Sequence, residues 1–360
     1  RPDILATNYH VISSYVNDPE TYELDYLSTT NKNGSLTLLD LDVIHDLAVV
    51  KADKPLGKPL IIADLPRKGA NLYSLGNPMD LGFSIVSGTN NGILESSEDQ
   101  NILFSGSLNP GMSGGPSLNG KGEVIGVNVA TSGNEISFLV PANFLAIILE
   151  RLALRNYEPD NNFFKLISRQ LLQTNQNYIA ELLSNTWKRT YIGKFEVPSD
   201  LSAAVRCWDS SGTPRKEDLF QSFYTSCSND RRIYLDDDLE LGTLNFEYQW
   251  LESEDLHPTR LYRRYEKLNA SIFASNADRD DVTNIVCNTE FILVAKQSFK
   301  ATICRRDYYR YEGLSDVLFT MAMVGHGDKG FIFNLDLLGT DFDAALTLFQ
   351  RMVSTFKWND

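Results

Sequence analysis

The chain has 360 residues, which at roughly 100 to 200 residues per domain leaves room for two domains. Apolar residues make up 42% and charged residues 22% of the sequence, so disordered, collagen-like and coiled-coil chains are excluded. The 47 acidic residues outnumber the 33 basic ones, and the net charge of −14 disfavours a nucleic-acid partner because it repels phosphate. No stretch approaches the ~18 consecutive apolar residues of a membrane-spanning helix, so we expect no membrane insertion.

Residues 8–140 consist of short β-type runs separated by Gly, Asn, Asp and Pro, which is typical of an all-β barrel or sandwich. At Pro141 the apolar spacing becomes helical, and we expect a helix over residues 141–155 that closes a first domain, residues 1–155. The clearest β-type runs are residues 36–39, 48–50, 72–75, 102–104 and 124–129.

The polar stretch 156–161 contains Pro159 and predicts a linker. Apolar residues at helical spacing follow it, so we expect a helix over residues 163–187. Linker and connecting helix together occupy residues 156–188.

Residues 189–360 alternate strand-like runs with acidic turns and predict an α+β accessory domain. A final helix is expected over residues 341–356, with its N-cap at Thr340 or Asp341. The strand-like runs are residues 191–197, 246–251, 290–295 and 331–335.

The motif Asn109-Pro-Gly-Met-Ser-Gly-Gly-Pro116 carries the strongest chemical signal. A serine hydroxyl is a weak nucleophile unless a base takes its proton, and a tetrahedral oxyanion needs two backbone N–H groups that converge on one point. Gly111 can turn its N–H toward the same point as the N–H of Ser113, and Gly114 and Gly115 leave room for a carbonyl to approach. The alternative interpretation is a surface turn rich in Gly, Pro and Ser.

A base and an orienting carboxylate precede this motif. His10 lies in Ala6-Thr-Asn-Tyr-His-Val-Ile12 and Asp46 in His45-Asp-Leu-Ala-Val-Val-Lys51, each beside an apolar run that we expect to be a strand. His45 is a rival base, but a residue next to Asp46 on a strand faces the opposite side. The order His10, Asp46, Ser113 therefore predicts a catalytic triad, and only neutral imidazole, above the ordinary histidine pKa of ~6.5, can act as its base.

At these residues the sequence resembles the trypsin-like serine proteases, most closely the Deg-type (high-temperature-requirement) branch. The resemblance covers about residues 1–155 and implies two antiparallel β-barrels with the site between them. It also implies Ser113 as nucleophile, His10 as base and then acid, Asp46 as orienter, and the amides of Gly111 and Ser113 as oxyanion hole. Its motifs are Thr7-Asn-Tyr-His-Val11, Asp46-Leu-Ala-Val-Val-Lys51, Gly76-Asn-Pro78, Asn109 to Pro116, Gly122-Glu-Val-Ile-Gly-Val127 and Phe138-Leu-Val-Pro141.

The sequence departs from the family pattern at three points. Met112 stands where the family usually has a polar residue, which excludes the trypsin-style ion pair between a new N-terminus and a carboxylate beside the nucleophile. Only nine residues precede His10, so we expect a fragment whose first barrel lacks edge strands. No carboxylate-binding loop of a PDZ domain follows residue 155.

By the same resemblance, a substrate pocket lines up with residues before the nucleophile loop and on the strand after it. None of them is charged, which favours a small or medium apolar residue before the cleaved bond. These residues are Ser107, Leu108, Val129, Ala130 and Thr131.

All four cysteines lie in the second half of the chain, without C-x-x-C spacing and without histidines at zinc-finger spacing, so we expect no metal site and no cofactor. An even count suits a secreted or periplasmic protein with disulfides, although four buried free thiols in an intracellular protein are the alternative. We expect the pairing that closes two short loops, 20 and 17 residues long: Cys207–Cys227 and Cys287–Cys304.

Two stretches of the accessory domain, residues 260–265 and 305–311, interleave Arg with Tyr. They suit a partner-binding face through stacking and cation–π contacts, but two strands with half-buried tyrosines are the simpler interpretation. His257 and His326 are interpreted as structural or surface residues.

The sequence as a whole predicts a serine endopeptidase acting on proteins or peptides through an acyl-enzyme. The alternative function is a catalytically silent, protease-like scaffold that binds partners.

Overall fold

The computed structural model describes residues 1–94, 99–131, 136–209, 211, 220–229, 231–253, 256–269 and 275–359, with the backbone alone at 130 and 131. The chain divides into two compact units. The first contains Arg1–Gln170 together with Ile233–Asp238, and the second contains Leu171–Arg232 and Leu239–Asp360. The division falls within the helix that follows the linker, which here is α3 (Phe163–Ser184) in chain-order numbering.

The first unit is mostly β. Its elements before α3 are β1 (Ile4–Thr7), α1 (Tyr9–Asn17), β2 (Asp25–Leu27), β3 (Asn33–Asp42), β4 (Leu47–Ala52), β5 (Asn71–Gly76), a 3-10 turn (Pro78–Asp80), β6 (Ser84–Ile93), β7 (Ile102–Phe104), β8 (Pro116–Leu118), β9 (Val124–Thr131), β10 (Ser137–Pro141) and α2 (Ala142–Leu154).

Strands of the first unit form an open sheet and a closed barrel. The sheet has four strands in the order β1-β4-β3-β2, and the barrel has six in the order β10-β7-β6-β5-β8-β9. Alternating apolar residues fill the barrel interior around Phe104 and Leu139, as expected for strands with period-2 burial. Helix α2 buries Leu145, Ile148 and Leu152 against strand residues such as Val49.

The segment around His10 is a helix and not the strand expected from the sequence. Tyr9, Ile12, Ser13 and Val16 form its buried face at helical spacing. The strand prediction was wrong because only nine residues carry this period, which is too short to stand out beside β-branched Val and Ile.

In the second unit strands outnumber helices. The elements after α3 are β11 (Arg189–Ile192), β12 (Phe195–Pro198), β13 (Arg206–Asp209), β14 (Gln221–Ser228), β15 (Ile233–Asp236, in the first unit), β16 (Leu239–Leu241), β17 (Leu244–Glu252), α4 (Pro258–Leu268), β18 (Val286–Val294), β19 (Gln297–Asp307), β20 (Ser315–Val324), β21 (Lys329–Thr340), α5 (Phe342–Ser354) and β22 (Lys357–Trp358).

An antiparallel seven-stranded sheet, β13-β14-β17-β21-β20-β19-β18, organises the second unit. Helix α5 packs on β20 and β21 over a core rich in aromatic side chains, including Tyr248, Trp250 and Phe333. Its N-cap is Asp341, whose carboxylate accepts a hydrogen bond from the amide of Ala344 at 2.8 Å.

Residues 260–265 lie in helix α4, so the strand expected there was wrong. Pro258 occupies the first turn, and Leu261 and Tyr265 are buried one helical turn apart. The Tyr265 hydroxyl donates to the carbonyl of Phe331 at 2.6 Å or of Met323 at 3.0 Å. Of the two stretches that interleave Arg with Tyr, residues 260–265 are therefore helical, with Leu261 and Tyr265 packed against the rest of the unit.

The four cysteines form two disulfides across neighbouring strands. Cys207 on β13 lies opposite its partner Cys227 on β14, and Cys287 on β18 lies opposite its partner Cys304 on β19. No helix among the described residues has both the length and the apolar character needed to span a membrane.

Candidate active site

His10 and Asp46 form a close pair in the first unit. The Nδ1 of His10 lies 2.6 Å from Oδ2 of Asp46, and the backbone N–H of His10 donates to Oδ1 at 2.8 Å. Because an ionised carboxylate can only accept hydrogen bonds, it places the imidazole hydrogen on Nδ1. The Nε2 lone pair is then left to accept a proton, which is the arrangement that a general base needs.

Asp46 lies in the turn that leads into β4. Its backbone has a positive φ of 52°, a conformation that Asp tolerates better than β-branched residues do. The turn is fixed from the other side by Asn8, because the Asn8 Nδ2 donates to the Asp46 carbonyl at 2.8 Å. Asp46 is therefore held through both its side chain and its carbonyl.

Asn8 also contacts the nucleophile loop. Its Oδ1 accepts a hydrogen bond from the amide of Gly114 at 2.6 Å, and its side chain is fully buried. This one amide group therefore connects the turn of Asp46, the start of the helix that carries His10, and the residue after Ser113.

The glycines of the nucleophile loop allow close approach of the backbone. Gly111 has a φ of 92° and Gly114 a φ of 77°. A Cβ atom on Gly111 would overlap the carbonyl oxygen of Asn77, and one on Gly114 would overlap the side chain of Thr7. Only glycine satisfies both the backbone conformation and the space at these two positions.

The hydroxyl of Ser113 donates to the carbonyl of Val129 at 3.4 Å. Among the described residues it has no hydrogen bond to His10, and the amides of Gly111 and Ser113 donate to no protein acceptor. Their function as an oxyanion hole stays a prediction. The structure joins His10 directly to Asp46. Asn8 links the turn of Asp46 to Gly114, the residue after Ser113, and the contact of Ser113 with His10 stays a prediction.

A second buried asparagine supports the same loop. Asn128 on β9 donates through Nδ2 to the carbonyls of Leu75 at 3.0 Å and Met112 at 3.1 Å. Its backbone carbonyl accepts from the amide of Gly114 at 3.0 Å. Asn128 therefore connects the nucleophile loop to strands on both sides.

A cavity of about 230 Å³ opens beside Ser113. Leu108 and Val129, predicted as pocket residues, line it, whereas Ser107 does not, and the side chains of Ala130 and Thr131 lie outside the described residues. None of the described lining residues is charged. The rest of the lining is Asn109, Pro110, Met112 and Asn128.

The rival base His45 pairs with a different carboxylate. Its Nδ1 lies 2.7 Å from Oδ2 of Asp42. Its ring stacks on that of Phe144, with the two ring centroids 3.6 Å apart. Burial acts to raise the pKa of Asp42, but the hydrogen bonds and charge of His45, with the amide of Ile44, hold that pKa below its usual value. The first unit thus contains two His–Asp pairs, His10 with Asp46 and His45 with Asp42, so the rival base His45 is not paired with Asp46.

The other two histidines lie in the second unit. The His257 ring accepts from the amide of Thr259 at the start of α4. His326 lies 2.8 Å from Gln297 and stacks on Trp358. Within the described ranges, no three His, Cys, Asp or Glu residues come together in a way that could hold a metal ion.

Sequence reasoning missed Asn8 and Asn128. Asn8 lies inside the motif Thr7-Asn-Tyr-His-Val11, two residues before His10, and this position beside the predicted base could have indicated a role in the site. For Asn128 the signal was a polar residue inside the apolar run 124–129, where a buried amide must find partners.

Comparison with known proteins identifies the class of the first unit. Residues 1–127 match the family of trypsin-like peptidase domains. The Do-like serine protease HtrB of Bacillus subtilis (strain 168) is 31% identical over 195 residues, which are 48% of this chain and 40% of that protein. The mitochondrial serine protease HTRA2 of Drosophila virilis is 27% identical over 224 residues, which are 57% of this chain and 49% of that protein.

A solved structure, the serine endoprotease from Yersinia pestis, is 25% identical with a TM-score of 0.36 and covers 42% of this chain and 54% of that chain. The sequence matches confirm the predicted resemblance: residues 1–127 are similar to trypsin-like peptidase domains, and the relatives that the chain matches are serine proteases of the Deg type. The chain spans less than half the length of the two curated relatives.

Proposed function

We propose that this protein is a serine endopeptidase that uses Ser113, His10 and Asp46 as its catalytic triad. The observation that carries the proposal is the Nδ1 contact of His10 with Asp46, because it leaves Nε2 as a base in the unit that also holds the glycine-framed serine. The family match of residues 1–127 supports the same reaction class.

The reaction begins when the Ser113 hydroxyl turns from Val129 to donate to Nε2 of His10. The Ser113 Oγ attacks the scissile carbonyl carbon while Nε2 takes the hydroxyl proton, and the amides of Gly111 and Ser113 donate to the oxyanion. The imidazolium, stabilised by Asp46, then gives this proton to the leaving amine, and the C–N bond breaks to leave an acyl-enzyme.

Water completes the cycle. His10 takes a proton from the attacking water, the second tetrahedral intermediate collapses, and the proton returns to Ser113 as the acid product leaves. The uncharged cavity beside Ser113, with Leu108 and Met112 in its lining, favours a small or medium apolar side chain before the cleaved bond.

Paired histidine variants test this assignment with a matched control. His10→Gln is expected to lower the rate of casein cleavage by at least a hundredfold, and Ser113→Ala by at least as much. His45→Gln removes a histidine with the same contact to a carboxylate and is expected to keep activity within about twofold, because it is not part of the triad. Loss of activity in His45→Gln with retention in His10→Gln would contradict the assignment.

A second candidate function is a silent scaffold that binds peptides without cleaving them. The hydrogen bond of Ser113 to Val129 favours it, because in that geometry the hydroxyl is not activated. A scaffold would leave casein intact in the unmodified protein and in all three variants.

The location that we propose is secreted or periplasmic, and the partners are protein or peptide substrates. The two disulfides support an oxidising compartment. On the second unit, the exposed Tyr309 of the stretch 305–311 and the exposed Tyr262 of the stretch 260–265 are the candidates for a partner-binding face.

A further inference from the structure

The short segment Ile233–Asp238 is part of the first unit although it follows β14 in the chain. It contains β15 and packs against helix α1, which carries His10. A segment far along the chain is therefore a direct neighbour of the helix that presents the base.

Two side chains of α1 converge on one carbonyl of this segment. The fully buried Tyr9 donates its hydroxyl to the carbonyl of Leu235 at 2.9 Å, and Asn17 donates through Nδ2 to the same oxygen at 3.1 Å. These bonds join the first and last turns of α1 to a single backbone group, which fixes the helix along its length.

Tyr234 lies next to the His10 ring itself. The two ring centroids are 6.2 Å apart at an interplanar angle of 84°, an edge-to-face arrangement. The Tyr234 hydroxyl donates to Asp237 at 2.8 Å and lies 3.5 Å from Ser13 Oγ, whose own hydroxyl donates to the His10 carbonyl at 3.1 Å. Tyr234 thus contacts both the ring and the helical turn of His10.

Helix α1 needs outside support. It has nine residues, its Asn8 cap makes no side-chain capping bond, and no acidic residue lies in its first turn. Helices this short are unstable alone, and their geometry is set by tertiary contacts. Asn8 is committed to Asp46 and Gly114, so besides the Asp46 carboxylate, which accepts from the His10 amide, α1 depends on the strands that pack against it, β4 and β15.

We propose that Tyr234 and the carbonyl of Leu235 position His10 for catalysis, so that Tyr234 is a positioning residue of the active site. This inference rests on the proposed protease function. Burial and Asp237 raise the pKa of Tyr234 to about 12, so its hydroxyl stays neutral throughout the range in which a histidine base titrates.

The test compares Tyr234→Ala with Tyr191→Ala in the full chain, Tyr191 being an exposed tyrosine of the second unit. Tyr234→Ala is expected to lower kcat for a peptide substrate about tenfold or more with KM within about twofold, since misplacing a catalytic group costs turnover before binding. Tyr234→Phe keeps the ring edge and is expected to restore most of kcat. Tyr191→Ala is expected to match the unmodified protein.

Hydrogen exchange of the α1 amides provides a readout that does not depend on turnover. Tyr234→Ala is expected to speed exchange in Tyr9–Asn17, and Tyr191→Ala to leave it unchanged. Unchanged α1 exchange and kcat in Tyr234→Ala, or a change confined to KM, would overturn the inference. A lack of turnover in the unmodified protein would instead overturn the proposed function. Hydrogen exchange of the α1 amides would still show whether Tyr234 supports the helix that carries His10.

Discussion

Asn8 is the residue on which the geometry of the candidate site most depends. It is fully buried, and its amide joins the carbonyl of Asp46 to the amide of Gly114. Each half of the amide satisfies one backbone group, so no smaller polar side chain can replace both contacts. The positions of the orienting carboxylate and of the nucleophile loop are therefore coupled through one side chain.

Asn8→Ala is expected to destabilise the protein by about 1–3 kcal/mol, because the Asp46 carbonyl loses this donor and the Gly114 amide keeps only the Asn128 carbonyl. It is also expected to lower kcat at least tenfold, since Asp46 and the loop of Ser113, which belong to the proposed triad, lose the side chain that links them. Kinetics and thermal unfolding on the same preparation would measure the two effects.

Asn162→Ala is the matched control for that change. Asn162 accepts from the amide of Lys165 at the start of α3, so its loss is expected to cost about 1 kcal/mol without a change in kcat. Equal kcat losses in the two variants would show that activity follows stability and not the position of Asn8.

At the scale of elements, helix α2 is joined to β3 by a charged contact. Asp40 is fully buried and accepts two hydrogen bonds from Arg151, at 2.6 and 2.8 Å, and one from Arg155 at 3.0 Å. The hydrogen bond to Asp40 raises the pKa of Arg151. This pair fixes the closing helix on the sheet that carries Asp46.

Arg151→Met is expected to destabilise the first unit by about 2–4 kcal/mol, because the buried Asp40 loses its bidentate partner and keeps Arg155 as its one cationic partner among the described residues. The double variant Arg151→Met with Asp40→Leu is expected to recover much of this loss, since no buried charge remains. Urea unfolding of the unmodified protein, Arg151→Met and the double variant measures the three free energies of unfolding. A double variant less stable than Arg151→Met alone would show that the pair stabilises in its own right.

Long helices with a repeating apolar face could be predicted from the sequence, whereas the shorter helices could not. The expected helices at 141–155 and 341–356 correspond to α2 and α5 within one or two residues at each end, because a broad apolar face repeats over three turns. Helix α1 and helix α4 were mistaken for strands. Both helices have only two to three turns, and both are stabilised by contacts from elsewhere in the chain, such as those of Leu235 with Tyr9 and of Tyr265 with Phe331.

The candidate site could be proposed from the sequence for a different reason, and of its members the structure joins His10 to Asp46. The reaction itself requires a nucleophile, a base, a carboxylate and small residues around the oxyanion, so His10, Asp46, Ser113 and Gly111 carry a chemical signature in the sequence. Asn128 carries none, because its function depends only on which carbonyls the fold places beside it.

At the scale of the whole molecule, the two units differ in how they depend on solution conditions. Only the second unit holds disulfides among the described residues, and it also holds a carboxyl group, Asp336, whose pKa burial raises to about 6. Redox and pH therefore act on the stability of the second unit through identified groups.

Asp336 contributes a pH dependence to the stability of the second unit. With a folded pKa of about 6 and an unfolded value of 3.8, the folded state holds the proton more tightly, so stability falls as pH rises from about 4 to 6. The loss is expected to be about 2–3 kcal/mol. Asp336→Asn, which can still accept from Asn245, is expected to flatten this part of the profile in urea unfolding. An unchanged slope would exclude Asp336 as its source.

Peptide mapping without reductant is expected to recover two linked pairs, Cys207 with Cys227 and Cys287 with Cys304. Because each bridge closes a loop of 20 or 17 residues, each is expected to add about 3 kcal/mol by restricting the unfolded chain. Reductant should therefore lower the unfolding midpoint of the second unit. Four alkylatable thiols in the protein purified without reductant would contradict both the pairing and the oxidising location.

The central claim, an activated Ser113, is tested most directly by mass spectrometry of the intact chain after reaction with a fluorophosphonate. We expect one adduct per chain, mapped to Ser113, formed at an unchanged rate in His45→Gln and lost in both Ser113→Ala and His10→Gln. An unmodified chain that forms no adduct, or an adduct that persists in Ser113→Ala, would contradict it.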